Sequence, residues 1–391
     1  MKLDPARWLD RPGIARLLRA LDAEHGGARF VGGAVRDALL DLPAEDLDLA
    51  TVFPPDDVVR RLEAAGIKAI PTGFAHGTVT AVSSGSVVEV TTLRSDVTTD
   101  GRRATVAFTD DWAEDASRRD FTINALYADP LSGEVYDSVG GEADILARRV
   151  RFIGDPLERI AEDHLRILRF FRFHARFGEG DPDAAALAAC GARANDLMAL
   201  SRERIADELL KLLGLADPSP TVALMQHHGI FAPILPELVD EAGPRIAALA
   251  AAERDSATAP DALRRLAAIL PRNPLAAAKV AARLKLSNKA RKRLALAADP
   301  DLDSNPRALA YHHGSAAALD RLLLAARPVD AAAIAKWPLP RLPMTGGDLI
   351  ARGVEQGPAV AKALRDIESK WVAAGFPHGD PFEALVAAAL A

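Results

Sequence analysis

Along the first hundred residues, apolar and polar positions alternate in short runs at 28–31, 46–51, 77–82 and 87–94, and a period of two predicts half-buried strands. Between them the stretch 55–65 carries helical spacing. Ser83-Ser84-Gly85-Ser86 joins the last two runs as a tight-turn signal and predicts a hairpin. From about residue 155 the spacing becomes helical and alanine-rich, broken by proline or glycine at 178–182, 217–220, 233–236, 271–274 and 338–343. Strand alternation does not return, and the lack of a fixed-period repeat excludes a solenoid. The pattern predicts an α+β chain: a small mixed-sheet head over 1–140, a helical neck over 141–215 and a helical body and tail over 216–391.

Composition narrows this little. The 391 residues allow two or three domains, and 49% hydrophobic with 26% charged residues is an ordinary globular balance that excludes disordered and fibrous classes. Cys190 is the single cysteine, which excludes a disulfide framework and a Cys-based zinc site. Asp4, Arg7, Asp10 and Arg11 interrupt the first 24 residues, and no run of eighteen uncharged apolar residues occurs, so a cytoplasmic protein with no membrane partner is expected. A net charge of −6 and a pI near 5.9 mean that any nucleic acid would be met by a local basic patch.

Four segments carry candidate chemistry. In Phe30-Val31-Gly32-Gly33-Ala34-Val35-Arg36-Asp37 a strand runs through two glycines into a helix former. Such a turn either cradles an anion, with backbone amides and Arg36 reaching a phosphate, or simply connects strand to helix tightly. In Asp46-Leu47-Asp48-Leu49 the period of two puts both carboxylates on one strand face. That face is either a solvated polar surface or a site where a cation such as Mg²⁺ relieves like-charge repulsion. Glu89, between Val88 and Val90, could add a third carboxylate from a neighbouring strand, or be one exposed residue of an edge strand. Arg118-Arg119-Asp120-Phe121-Thr122-Ile123-Asn124 offers paired arginines beside an acid, suited equally to a triphosphate and to an internal ion pair. Across 162–173, Ile167, Leu168, Phe170 and Phe171 fall on one side of a helix, with Arg166, Arg169 and Arg172 on the other. Arginines at every turn with no intervening acid point to an anionic or planar partner.

In this order and spacing, the four segments resemble the class II CCA-adding enzymes and bacterial poly(A) polymerases of the nucleotidyltransferase superfamily. The resemblance runs from Arg29 to Leu213, through Ser201-Arg202-Glu203-Arg204-Ile205 and Glu208-Leu209, and continues more weakly in Leu284-Lys285-Leu286-Ser287-Asn288, in Gly347-Asp348-Leu349 and at Gly357-Pro358. It implies that Gly33 and Arg36 bind the incoming triphosphate, that Asp46 and Asp48 hold Mg²⁺ with Glu89 as a further catalytic carboxylate, and that Arg119, Asp163, Arg166, Arg169 and Arg172 bind the nucleotide. The chemistry of Asp163 and Arg166 makes this role intelligible. A carboxylate accepts from an exocyclic amine and a guanidinium donates to the adjacent ring acceptor, an edge shared by cytosine and adenine and absent from guanine and uracil.

The implied activity is template-independent addition of C, C and A, from CTP and ATP, to the 3′ end of tRNA with release of pyrophosphate. A poly(A) polymerase or A-restricted enzyme on the same scaffold is the alternative; an intact 95–109 segment and the lack of a long basic tail favour CCA addition. A catalytically silent RNA-binding nucleotide sensor is disfavoured by the retained aspartates. Ala104 and Thr91-Thr92-Leu93-Arg94 depart from the family pattern without touching these residues. No His-Asp dipeptide occurs, which argues against an added phosphohydrolase domain, and His227-His228 and His312-His313 read as helix-end residues. Arg283, Lys285, Lys289, Arg291, Lys292 and Arg293 concentrate positive charge without an acid. Either this is a solvated helix face, or Lys289, Arg291, Lys292 and Arg293 meet tRNA phosphates. The sequence leaves the oligomeric state open.

Overall fold

The computed structural model describes residues 1–43, 46–96, 106–302 and 305–390. Most of the 95–109 segment, including Ala104, lies outside the described residues. The chain divides into two compact units, Met1–Leu200 and Ser201–Ala391.

The first unit contains β1 (Ala28–Val31), β2 (Leu47–Thr51), β3 (Lys68–Gly73), β4 (Thr78–Ser83), β5 (Ser86–Thr92), β6 (Arg94–Asp96), β7 (Val106–Phe108), β8 (Tyr127–Ala128) and β9 (Val135–Tyr136). Its helices are α1 (Ala6–Leu9), α2 (Ile14–Ala20), α3 (Gly33–Leu39), α4 (Pro55–Ala64), α5 (Trp112–Ser117), α6 (Gly141–Leu146), α7 (Pro156–Glu162), α8 (Leu165–Phe177) and α9 (Ala184–Ala192). Seven strands make one sheet in the order β3-β4-β5-β2-β1-β8-β9, and β6 and β7 form a separate ribbon. Only β2 and β5 run parallel in the large sheet; the other neighbours are antiparallel.

Alternation explains the strands it predicts. Phe30 and Leu49 face each other across β1 and β2 in the core, and Trp8 closes on Phe30 with ring centroids 4.4 Å apart. Ser84 and Gly85 both take positive φ, 50° and 91°, the backbone that matches a two-residue hairpin turn to strand twist. One expectation is corrected. Glu89 does not sit on an edge strand, because β5 lies inside the sheet between β4 and β2. The edge on that side is β3, whose residues are exposed or half-buried without alternation.

Helix α8 packs as its periodicity predicts, burying Ile167, Leu168, Phe170, Phe171 and Phe173. Phe121, Phe152 and Phe170 form its aromatic contact, with centroids 4.9 Å apart for the first pair and 5.8 Å for the second. Asp163 is not on this helix: its φ of −149° and ψ of 104° form an extended link between α7 and α8.

The second unit is built of α10 (Arg202–Leu213), α11 (Ser219–His227), α12 (Ala242–Asp255), α13 (Ala262–Ala268), α14 (Pro274–Arg283), α15 (Asn288–Ala297), α16 (Pro306–His313), α17 (Ser315–Leu324), α18 (Pro328–Ala335), α19 (Gly346–Ala351), α20 (Pro358–Ala373) and α21 (Asp380–Leu390). His227 and the pair His312-His313 end α11 and α16, as expected. No described helix is long and apolar enough to cross a membrane.

A buried ionic network ties several of these helices. Glu253, 1% exposed, accepts from Arg264 at 2.7 Å and from Arg265 at 2.8 Å, and Arg265 also donates to the carbonyls of Leu213, which ends α10, and of Leu215 and Ala216 beyond it. Asp320 accepts from Arg264 and from Arg293 at 2.9 and 2.6 Å. Arg293 of the basic run is engaged within the protein, its guanidinium pairing with Asp320 and, at 2.9 Å, with Asp261. Arg283 and Lys285 of the same run pair with Glu237 and Glu203. Removing one partner strands the others in a dry interior. Glu253→Gln should therefore destabilise the chain by about 3–5 kcal/mol in urea unfolding.

Candidate active site

The site begins where β1 meets α3. Gly32 takes a φ of 64° with ψ −120°, a conformation glycine alone adopts freely, and this swings the chain so that α3 starts at Gly33 with its amides toward the end of the sheet. On β2, Leu47 and Leu49 are buried, so the intervening Asp48 emerges on the opposite face with exposed Asp46 just before the strand. The parallel register sets Asp48 directly beside Glu89. Partial burial, then Glu89 and Asp46, push the Asp48 carboxyl up to about 6.

Burial and two neighbouring acids together disfavour the ionised form of Asp48. Among the described residues no three His, Cys, Asp or Glu side chains converge as a ready-made metal cluster. Asp48 beside Glu89 and Asp46 nevertheless fits a divalent cation, since oxygen-only donors with unrelieved repulsion are what such an ion stabilises.

Asp48 opens onto a cavity of about 370 Å³, also lined by Gly32, Gly33, Arg36, Arg118, Arg119, Asp120, Asn124, Asp163, Arg166, Arg169 and Phe173. Each arginine in it is held by a partner within the protein, Arg118 and Arg119 sharing Asp115. Arg36, buried, donates to Asp37 at 2.8 Å and to Asn124 at 2.6 Å, with its guanidinium 4.0 Å from the centre of the Phe177 ring. Arg119 donates to Asp115 at 2.9 Å and to the Tyr127 hydroxyl at 3.2 Å. Arg169 donates to Asp120 at 2.8 Å, and Asn124 donates to the other oxygen of that carboxylate at 3.0 Å. Arg166 bonds to Glu162 and to the carbonyls of Arg159 and Arg118 at 2.8 and 3.2 Å.

These tethers set the charges. Burial opposes ionisation of Asp115, yet Arg119 and Arg118 hold its carboxyl far below the usual range. Asp120 is likewise lowered, against burial, by Arg169 and Asn124. Burial and Asp115 push the Tyr127 hydroxyl up, so it stays protonated and donates to Asp115.

The structure thus brings together Gly33, Arg36, Asp48, Arg119, Asp163, Arg166 and Arg169, with Glu89 and Asp46 next to Asp48. It does not bring in Arg172, which is half-buried outside the cavity lining, over the Phe173 ring at 4.6 Å. For Arg118 and Arg119, the two sequence readings coincide: both line the cavity, and both are ion-paired to Asp115. The sequence analysis missed Asp115, Asn124 and Asp37. The signal for Asp115 was its position three and four residues before Arg118 and Arg119, which follow the end of α5.

This head, with carboxylates on neighbouring strands facing an arginine-lined pocket, matches the family described as the poly A polymerase head domain over residues 28–151. Residues 181–241 match the probable RNA and SrmB-binding site of polymerase A. The class is that of the poly(A)-polymerase-type nucleotidyltransferases. A CCA-adding enzyme of Lacticaseibacillus paracasei is 33% identical over 93% of this chain and 92% of its own length. The mitochondrial CCA tRNA nucleotidyltransferase 1 of Mus musculus is 44% identical, but that match spans 51% of this chain and about half, 47%, of the relative. A crystal structure of the Bacillus stearothermophilus CCA-adding enzyme in complex with CTP superposes with a TM-score of 0.72 at 29% identity, covering 93% of this chain and 94% of the other. The chain belongs to the CCA-adding enzyme family. Membership implies use of a divalent metal.

The raised Asp48 has a measurable sign. Its folded-state value of about 6 lies above the unfolded 3.8, so the native state binds the extra proton between them. Without divalent ions, the Asp48 contribution should grow as pH falls from 7 to 4, so the parent should gain thermal stability relative to Asp48→Asn over that range.

Proposed function

We propose that this chain adds C, C and A, drawn from CTP and ATP, to the 3′ end of tRNA and releases pyrophosphate. The observation that carries the reading is Asp48, with Glu89 and Asp46 beside it, lining one pocket with Asp163 and Arg166. Asp46 and Asp48 would hold Mg²⁺, with Glu89 beside them. When bound, the ion supplies neutralisation of triphosphate charge and activation of the attacking hydroxyl.

The chain's own residues do the rest by position. The α3 amides at Gly33, with Arg36 fixed by Asp37 and Asn124, receive the triphosphate; Arg119 and Arg169, fixed by Asp115 and Asp120, add positive charge without having to reorganise. Asp163, in an extended link where its Oδ1 also accepts the Leu165 amide, accepts from the exocyclic amine of C or A, and Arg166 donates to the neighbouring ring acceptor. Guanine and uracil would leave both groups unpaired. On α15, Lys289, Arg291 and Lys292 are exposed and carry no ion pair among the described residues, which supports their contacting tRNA phosphates.

The direct test is tRNA lacking its 3′ CCA, incubated with CTP, ATP or both, with the ends sequenced. CC with CTP alone and CCA with both are expected; long A tracts on unrelated RNA would give the A-polymerising alternative. Arg166→Ala should relax rejection of UTP as well as slow the reaction. A variant that is slower yet still rejects UTP as strictly would make Arg166 a phosphate ligand. Neutralising Lys289, Arg291 and Lys292 should reduce the slope of log tRNA affinity against log salt by about 0.7–0.9 per lost contact and raise KM for tRNA, leaving KM for ATP unchanged.

A further inference from the structure

A second cavity, of about 380 Å³, lies in the helical unit and shares no residue with the nucleotide pocket; Asp299, Asp301, Leu309, His312, His313 and Arg321 line it. Arg321, on α17, is 2% exposed. Its Nε is buried without a hydrogen-bond partner, and its nearest carboxylate, Asp299 Oδ2, is 3.9 Å from Nη2, beyond hydrogen-bond reach. A guanidinium has five donors and keeps its charge, so this burial is costly as it stands. The contrast is with Arg264 and Arg265 of the same unit, equally buried, which are matched by Glu253, Asp320 and backbone carbonyls.

The surroundings add positive charge. Arg272 donates Nη2 to the backbone carbonyl of Asp299 at 3.1 Å and Nη1 to that of Leu324 at 3.2 Å, and its Nε is also buried without a partner. Arg245 stands with Arg272 around an adjoining cavity of about 200 Å³. Burial, then Arg321 and with it Arg245, lower the Arg272 guanidinium from its ordinary value, while Asp299 offsets part of this. Arg321 lines the cavity with Asp299 and Asp301, Arg272 and Arg245 add positive charge from beside it, and Asp299 spends Oδ1 on the amide of Asp301 at 3.0 Å. The complement this environment calls for is a compact group with negative charge and several acceptor atoms.

We propose that this cavity is an oxyanion site in which Arg321 grips a phosphate group. Guanidinium and phosphate match as a planar fork against paired oxygens, and His312, at the end of α16, stands on the cavity wall as a further donor. The phosphate is either a free ion or a phosphodiester of bound RNA; the RNA source rests on the function proposed above, and the site itself does not.

Thermal unfolding of the full chain in rising inorganic phosphate, against chloride at matched ionic strength, tests it. Tm should rise with phosphate, Arg321→Met should abolish the rise, and Arg36→Met, in the nucleotide pocket, should keep it. Because Arg321→Met removes, at similar length, a buried charge whose carboxylate Asp299 lies beyond hydrogen-bond reach, the variant should unfold in chloride no earlier than the parent. A phosphate response that survives Arg321→Met, or vanishes in Arg36→Met, overturns the proposal, as does no response in the parent. Where the response is lost as expected, tRNA affinity against salt identifies the source. A slope shallower by about 0.7–0.9 in Arg321→Met identifies an RNA phosphate, and an unchanged slope a free ion.

Discussion

The parallel pairing of β2 with β5 sets Asp48 beside Glu89, and the rest of the head is organised around that repulsion. A strand pair that exposes two acids at one register position is unfavourable unless a cation joins them. Arg36 and Arg119 both pull the Asp48 value down, yet burial and the two neighbouring acids win. Had either arginine closed onto Asp48, the pair would have neutralised itself and left nothing for a metal.

What prevents that collapse is a set of private tethers. Arg36 is held by Asp37 and Asn124, Arg119 by Asp115, Arg169 by Asp120 and Arg166 by Glu162. Each tether fixes a long side chain whose ordering would otherwise cost rotamer entropy on nucleotide binding. The tethers also link across the pocket, since Asn124 joins Arg36 to Asp120, and Asp120 joins Asn124 to Arg169 on α8. Positive charge is thus present, oriented and kept off Asp48 and Glu89.

Local patterns in the sequence foretold much of this. The strands at 28–31 and 46–51, the Ser84-Gly85 hairpin and the buried stripe of α8 follow from periodicity and turn chemistry alone. What stayed hidden depends on partners distant in the chain. Glu89 looked like an edge residue because the parallel β2–β5 pair is joined by a crossover that no short window reveals. Arg293 looked free because Asp320 and Asp261 arrive from other helices. Asp163 looked helical because its neighbours have helical periodicity on both sides, whereas the chain breaks there into an extended link. Strands β8 and β9, two residues each, are too short to carry an alternation signal.

The central claim is that the Asp48 cluster is completed by a cation, which must displace the proton that the crowded carboxylates retain. Calorimetric titration of the chain with Mg²⁺ near pH 6, in buffers of different ionisation enthalpy, counts that proton directly. The account predicts proton release that fades toward pH 8 and disappears in Asp48→Asn. Mg²⁺ binding with no buffer dependence at pH 6, or with the same release in Asp48→Asn, would contradict it.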